Sequence, residues 1–343
     1  MDHSTEQIDR SKRLFVKGAG ALCLGAAFPQ VAMAASTRTL NAVERLPNSS
    51  VLAIEAETGR VLYERNADAV RIPASEVKPF GDMVMFDDIR ENPDLLKEEM
   101  RVTKAVRDVV DEEENSSHRF LSHYGVYNLS VDEALKFRIL RSMNGPSLLL
   151  ANHFAGSENA FVERMQAKAE EIGCFDTVIR NSTGYHHEEQ VTTPRDLVKM
   201  ARSLIMDYNR PGEYERYGRS VEKIRKLEVG SFNKFLLGLR EADGIKTGRL
   251  DICGAHNLGS AVRDGRRVIT LVMGARTSDE AALANRQLAR LVFDRHSVEY
   301  PGLESPTEFV KQAPTVSDSG LFVPEHTAVT PVEKSDLPEI EIP

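Results

Sequence analysis

The chain has 343 residues, 41% hydrophobic and 28% charged, with a formal net charge of −8 and a pI near 5.7. That is a globular balance, large enough for one big domain or two modest ones. It shows no basic stripe, which argues against nucleic acid as a partner, and with no Trp and 6% aromatics it offers little for a sugar- or base-stacking platform.

Residues 1–34 read as a signal peptide. Basic Lys12, Arg13 and Lys17 precede a short apolar run from Gly18 to Phe28, and Ala32-Met33-Ala34 is an A-x-A cleavage site. The run is too short to span a bilayer. "SKRLFVK" is similar to the twin-arginine export motif with Lys12 in place of the first Arg; an ordinary secretory signal is the other reading. The mature protein is therefore expected to begin near Ala35 and to be periplasmic or secreted. Cys23 falls within the signal, leaving Cys174 and Cys253 either to form one disulfide in an oxidising compartment or to stay as separate thiols.

From Val51, "VLAIEAETGRVLYER" alternates apolar residues around a turn and predicts a β-hairpin. The middle of the chain is helical in period: "VDEALKFRILRSM", "SENAFVERMQAKAEEIG" and "TPRDLVKMARSLIMDY" carry apolar residues at helical spacing, with start signals at Ser157 and Thr193-Pro194. After Tyr217 strands return ("SVEKIRKLEVG", "ADGIKTG", "AHNLGSAVRDGRRVITLVMGA"), with "RDGRR" as a hairpin turn, and "SDEAALANRQLARLVFDRH" closes as a helix. This order predicts an α/β (α+β) fold: a sheet covered by helices, with a mostly helical subdomain at about 80–215 inside a domain spanning 35–300. The last 43 residues, 301–343, hold seven of the fifteen prolines and eight acids against two lysines, and read as a disordered acidic tail. No amphipathic helix that could serve as a membrane anchor is expected in this tail.

Three short motifs carry the chemistry. Ser75 and Lys78 form S-x-x-K in "RIPASEVKPF", placed to share a helix face so that the amine can reach the hydroxyl. Ser142-Met143-Asn144 follows 67 residues after Ser75, and Lys246-Thr247-Gly248 another 104 residues on. Each alone is weak. In this order, with a helix start, a helical-region loop and a strand as settings, they match the set known from penicillin-binding proteins and class A β-lactamases.

Over roughly Val51 to His296 the chain resembles the serine D-alanyl-D-alanine carboxypeptidases, the low-molecular-weight penicillin-binding proteins. Beyond the motifs, the opening hairpin, the "NSTGYHHEEQVTTPRDLVKMARSLI" loop and helix, and the strands "DGIKTG" and "HNLGSAVRDGRRVITLVMGA" carry the similarity. The resemblance implies a β-lactamase/DD-peptidase-like fold, an antiparallel sheet flanked by helices with the site in the cleft beside a helical subdomain. It implies acyl transfer without a cofactor: Ser75 as nucleophile, Lys78 as a base whose charge is suppressed by burial and by Lys246, and Ser142 as proton donor to the leaving amine. Asn144 would hold the substrate backbone and Lys78. Lys246 and Thr247 would bind the terminal carboxylate, and Gly248 would let substrate pair along the strand. The backbone N–H groups of Ser75 and Arg249 would form the oxyanion hole. The implied partners are peptidoglycan stem peptides ending in D-Ala-D-Ala, with β-lactams as covalent inhibitors. A DD-endopeptidase, a class A-like β-lactamase and a peptidoglycan-binding relative with impaired catalysis are the alternatives.

The sequence also departs from the family pattern. Pro79-Phe80-Gly81-Asp82 follows Lys78 where apolar residues and Thr are usual, and Pro79 is expected to remove a helical hydrogen bond. Gly145-Pro146 follows Asn144, and "MNGP" reads as loop. Leu250 stands after Arg249 where Thr or Ser is preferred nearby. Ala281 occupies the position of an Arg that often helps bind the carboxylate, leaving Arg249 or Arg276 as substitutes. His186-His187-Glu188-Glu189 reads as a polar surface loop; adjacent His residues lack the helical i,i+4 spacing of a zinc pair.

Overall fold

The structure is a computed structural model that describes residues 42–103, 106 and 128–296. The chain divides into two compact units, Met1–Thr307 and Glu308–Pro343, and every described residue belongs to the first. The expected signal at 1–34 and tail at 301–343 lie outside the described residues.

A five-stranded antiparallel sheet organises this unit. It contains β1 (Ser50–Glu55), β2 (Val61–Arg65), β7 (Ala242–Leu250), β8 (Gly254–Arg263) and β9 (Arg266–Ala275), in the order β2-β1-β9-β8-β7. The short strand pairs β3 (Glu99–Arg101) with β4 (Asn128–Ser130), and β5 (Val221–Ile224) with β6 (Leu227–Gly230), stand apart from it. The turn between β8 and β9 places Asp264 and Gly265 at φ 52° and 77°, the left-handed pair that a two-residue hairpin needs. β1 and β9 are buried at nearly every position, because helices cover both faces. The closing helix α7 (Ser278–His296) packs on β8 and β9. Its Ala and Leu residues join Val51, Val268 and Val272 in the core.

On the other face lie α1 (Lys78–Glu91) and α5 (Pro194–Asp207), with α2 (Val131–Arg141), α3 (Asn144–Ala155) and α4 (Glu158–Glu171) stacked beyond them. A short helix α6 (Lys234–Gly238) leads into β7. The helices start where the sequence signals them. Ser130 and Glu133 form a reciprocal capping box on α2. Ser157 caps α4, and Thr193 caps α5 with Pro194 at the first helical position.

Two expectations are corrected. Pro79 does not interrupt a helix: α1 begins at Lys78, after a 3-10 turn over Ala74–Val77, so the missing N–H falls in the first turn, where no intrahelical acceptor is available. Likewise Asn144-Gly145-Pro146 is the first turn of α3 rather than loop, for the same reason. Cys174 and Cys253 are free thiols; Cys174 is buried and donates to the Asp196 carbonyl at 3.2 Å.

Candidate active site

The three motifs meet in one open cleft of about 1050 Å³ between the β7 edge of the sheet and the helices. Ser75 lies in the 3-10 turn that enters α1, half-buried, and Lys78 is fully buried one turn on. Lys78 Nζ donates to Ser75 Oγ at 2.9 Å and to Asn144 Oδ1 at 2.8 Å, and makes a further short contact with the Thr183 carbonyl. Asn144 reaches Lys78 because it opens α3. Ser142, just before it, ends α2 in a left-handed conformation at φ 57°. That turn points Ser142 Oγ at β7, where Lys246 Nζ donates to it at 2.6 Å.

Thr183 belongs to the loop quoted above as "NSTG". Asn181 Oδ1 holds this loop by accepting from the Gly184 and Tyr185 N–H groups at 2.7 and 3.1 Å. Gly184 has φ +84°, and a Cβ there would sit 2.1 Å from the Ala74 carbonyl oxygen, so only glycine lets the loop close on Ser75. The polar run at 186–189 is exposed, as expected of a surface loop.

Lys246 is buried, and burial pushes its amine down to about 7; the Glu76 and Asp82 carboxylates act against that shift, and Arg138 adds to it. It therefore titrates near neutrality instead of standing as a permanent cation. Thr247 and Gly248 follow on β7. Gly248 is packed so closely that a Cβ would meet the Ala74 side chain at 3.1 Å and the Pro73 carbonyl at 3.3 Å. Arg249 is exposed and pairs with Asp251 at 3.5 Å. Arg276 is engaged by Glu280 at 2.6 Å, and Ala281 is on the core-facing side of α7, so neither position presents a free cation to the cleft.

Two buried clusters surround these residues, and neither figured in the motif reading. In the first, Glu76, inside the S-x-x-K motif, is fully buried with its Oε2 3.4 Å from His256 Nδ1. His256 lies opposite Gly248 in the β7–β8 register. Burial works against a charged imidazole, but the Cys253 side chain and the Glu76 carboxylate outweigh it and push His256 up to about 10. Burial pushes Glu76 up as well, against His256 and Lys246. The two shifts oppose each other, since a protonated Glu76 would leave His256 no anion to hold its charge. We assign the ion pair, because the imidazole faces the carboxylate directly at 3.4 Å. The signal available in the sequence was a Glu among apolar neighbours in "ASEV" and a His in the otherwise apolar strand "GAHNLGSAV".

In the second cluster, Arg138 of α2 is completely buried and donates to Asp82 Oδ1 at 2.5 Å, the Lys78 carbonyl at 2.7 Å and the Ser182 carbonyl at 3.3 Å. Tyr217 also donates its hydroxyl to Asp82. A Cβ on Gly81 would lie 2.8 Å from Arg138 Nη2. The unusual "PFGD" run thus makes room for, and neutralises, a guanidinium that ties α1 to α2 and to the 182–184 loop. Its helical spacing marks position 138 as core-facing, but only the structure identifies its partner.

The D-alanyl-D-alanine carboxypeptidase family model matches residues 36–277. The chain belongs to this family. Its curated relatives include D-alanyl-D-alanine carboxypeptidase DacF of Bacillus subtilis, 27% identical over 71% of this chain and 60% of that protein. D-alanyl-D-alanine carboxypeptidase DacA of Escherichia coli is 30% identical over 68% of this chain and 58% of that protein. The chain thus spans a little under two thirds of the length of these family members. Among solved structures, a peptidoglycan synthesis regulatory factor (PBP3) of Streptococcus pneumoniae superposes with a TM-score of 0.65 at 27% identity, covering 71% of this chain and 72% of that one. The antiparallel sheet with flanking helices is therefore the family fold, as the sequence resemblance implied.

Proposed function

We propose that the protein is a serine D-Ala-D-Ala carboxypeptidase that removes the terminal D-alanine from peptidoglycan stem peptides and is acylated by β-lactams. The observation that carries this reading is Lys78 Nζ at 2.9 Å from Ser75 Oγ, buried and anchored by Asn144 and the Thr183 carbonyl. As a neutral amine, Lys78 would take the Ser75 proton as Oγ attacks the peptide carbonyl. The backbone N–H groups of Ser75 and Arg249 receive the oxyanion. Ser142, bonded to Lys246, passes a proton to the departing D-alanine nitrogen, and Thr247 with Lys246 holds the carboxylate. Water then attacks the ester on Ser75 and releases the shortened peptide. A signal peptide at 1–34 would deliver this chemistry outside the cytoplasm, where peptidoglycan lies.

The test is incubation with a fluorescent penicillin and, separately, with a pentapeptide muropeptide read by mass. We expect a covalent adduct and loss of one D-alanine, both abolished by Ser75→Ala. Absence of both in folded wild-type protein rejects the reading. A cross-linked muropeptide dimer run in parallel separates carboxypeptidase from endopeptidase action, and rapid penicillin turnover would instead mark a β-lactamase.

A further inference from the structure

The cleft wall carries one cation whose charge nothing in the site accounts for. Three cationic side chains line the cleft, Arg141, Lys234 and Arg249, against two acids, Asp251 and Asp279. Lys234 is held by both Asp279 oxygens at 2.7 and 2.8 Å, and Arg249 pairs with Asp251 at 3.5 Å. Among the described residues Arg141 makes no ion pair. Its contacts are a long hydrogen bond to the Gly230 carbonyl at 3.4 Å and the face of Phe232, 3.6 Å from the ring centroid. Partial burial without a facing acid pulls its guanidinium below the usual value.

The position is built. Arg141 is the last residue of α2, directly before Ser142. The Phe232 N–H donates to the Leu140 carbonyl at 2.8 Å, which fixes the ring under the guanidinium. Phe232 itself is 47% exposed, an unusual exposure for a Phe unless the stack is its purpose. A planar guanidinium held against a ring loses little freedom on binding, and its remaining N–H groups match the two oxygens of a carboxylate.

We infer that the Arg141–Phe232 stack is a carboxylate-binding subsite of the cleft. The inference rests on the peptidase reading above, because the carboxylate is taken to be one of a peptide substrate. That carboxylate is either the C-terminal one of the leaving residue or a side-chain one, such as that of a diaminopimelate residue in the stem.

Both sources can be tested by calorimetric titration of full chain carrying Ser75→Ala, so that binding is read without turnover. The probes are diacetyl-L-lysyl-D-alanyl-D-alanine, its C-terminal amide, and a stem pentapeptide with diaminopimelate paired with its lysine analogue. Adding Arg141→Ala is expected to weaken the probe that carries the recognised carboxylate about 10- to 100-fold and to leave its partner lacking that one carboxylate unchanged. Arg141→Lys, which keeps the charge but not the fork, should restore only part of the loss. Loss of the acid-over-amide preference assigns the C-terminal carboxylate; loss of the diaminopimelate-over-lysine preference assigns the side chain; either supports the subsite. If the peptides bind and both preferences survive in Arg141→Ala, the subsite is wrong and the peptidase reading stands. If no probe binds the Ser75→Ala protein, both fall.

Discussion

Glu76 Oε2 and His256 Nδ1 stand 3.4 Å apart in a fully buried setting, one residue from the proposed nucleophile and across the sheet from Gly248. Glu76 also acts on Lys246, raising an amine that burial has pushed down to about 7. The carboxylate thus links the S-x-x-K turn to the K-T-G strand by charge, without touching the cleft.

The first prediction follows from that link. kcat/KM reports titrations of the free enzyme, so if cationic Lys246 holds the substrate carboxylate, penicillin acylation should decline as pH rises through about 7. Glu76→Gln removes a group that favours the protonated amine. The declining limb should move to lower pH, read as second-order acylation rate against pH. An unmoved or upward-shifted limb would break the proposed coupling.

His256 should leave a trace in stability. Its folded-state pKa, about 10, lies above the ordinary 6.5. A raised pKa contributes stability that is complete below about 6.5, shrinks between about 6.5 and about 10, and is gone above. Urea unfolding of wild type and His256→Gln should therefore show a gap that is widest below about pH 6.5 and closes toward pH 10. A gap that widens with pH would mean that the buried pair is neutral.

Removing the Arg138 charge should be far more damaging than removing its whole cluster. Arg138→Met strands the buried Asp82 and should lower unfolding free energy by about 3–5 kcal/mol. The triple variant Asp82→Leu, Arg138→Met, Tyr217→Phe leaves no buried charge and should recover most of that, as measured by urea midpoint. Equal losses in both would mean that packing, not charge, dominates the site.

Gly184→Ala tests the loop that supplies the Thr183 carbonyl. A Cβ 2.1 Å from the Ala74 oxygen and 2.7 Å from Ser75 Cα forces the loop off Lys78. A displacement of that order should slow penicillin acylation by about 100-fold, in protein that still unfolds cooperatively. Wild-type acylation rates would show that the Thr183 contact is dispensable.

The sequence carried the scaffold of this site well, because its devices are local. Ser157 and Thr193-Pro194 announce helix starts, Asp264-Gly265 announces a hairpin, and the three motifs have fixed partners once the sheet forms. What stayed hidden is made by long-range contact. Arg138 meets Asp82 across 56 residues of sequence, and nothing at either position names the other. Pro79 and Pro146 misled for a related reason: a proline is read as a helix breaker unless the helix start is known, and both starts are set by tertiary contacts around Lys78 and Asn144. Arg141 ends a recognisable helix, but its want of an acid partner is a property of the folded cleft.

The Gly81–Asp82–Arg138 interlock has a consequence for the history of the chain. No one of the three could have been acquired, or can be lost, alone: a side chain at 81 collides with the guanidinium, and a neutral 82 strands it. A side chain placed at 81, or a neutral residue at 82, should therefore be tolerated only together with a change at 138.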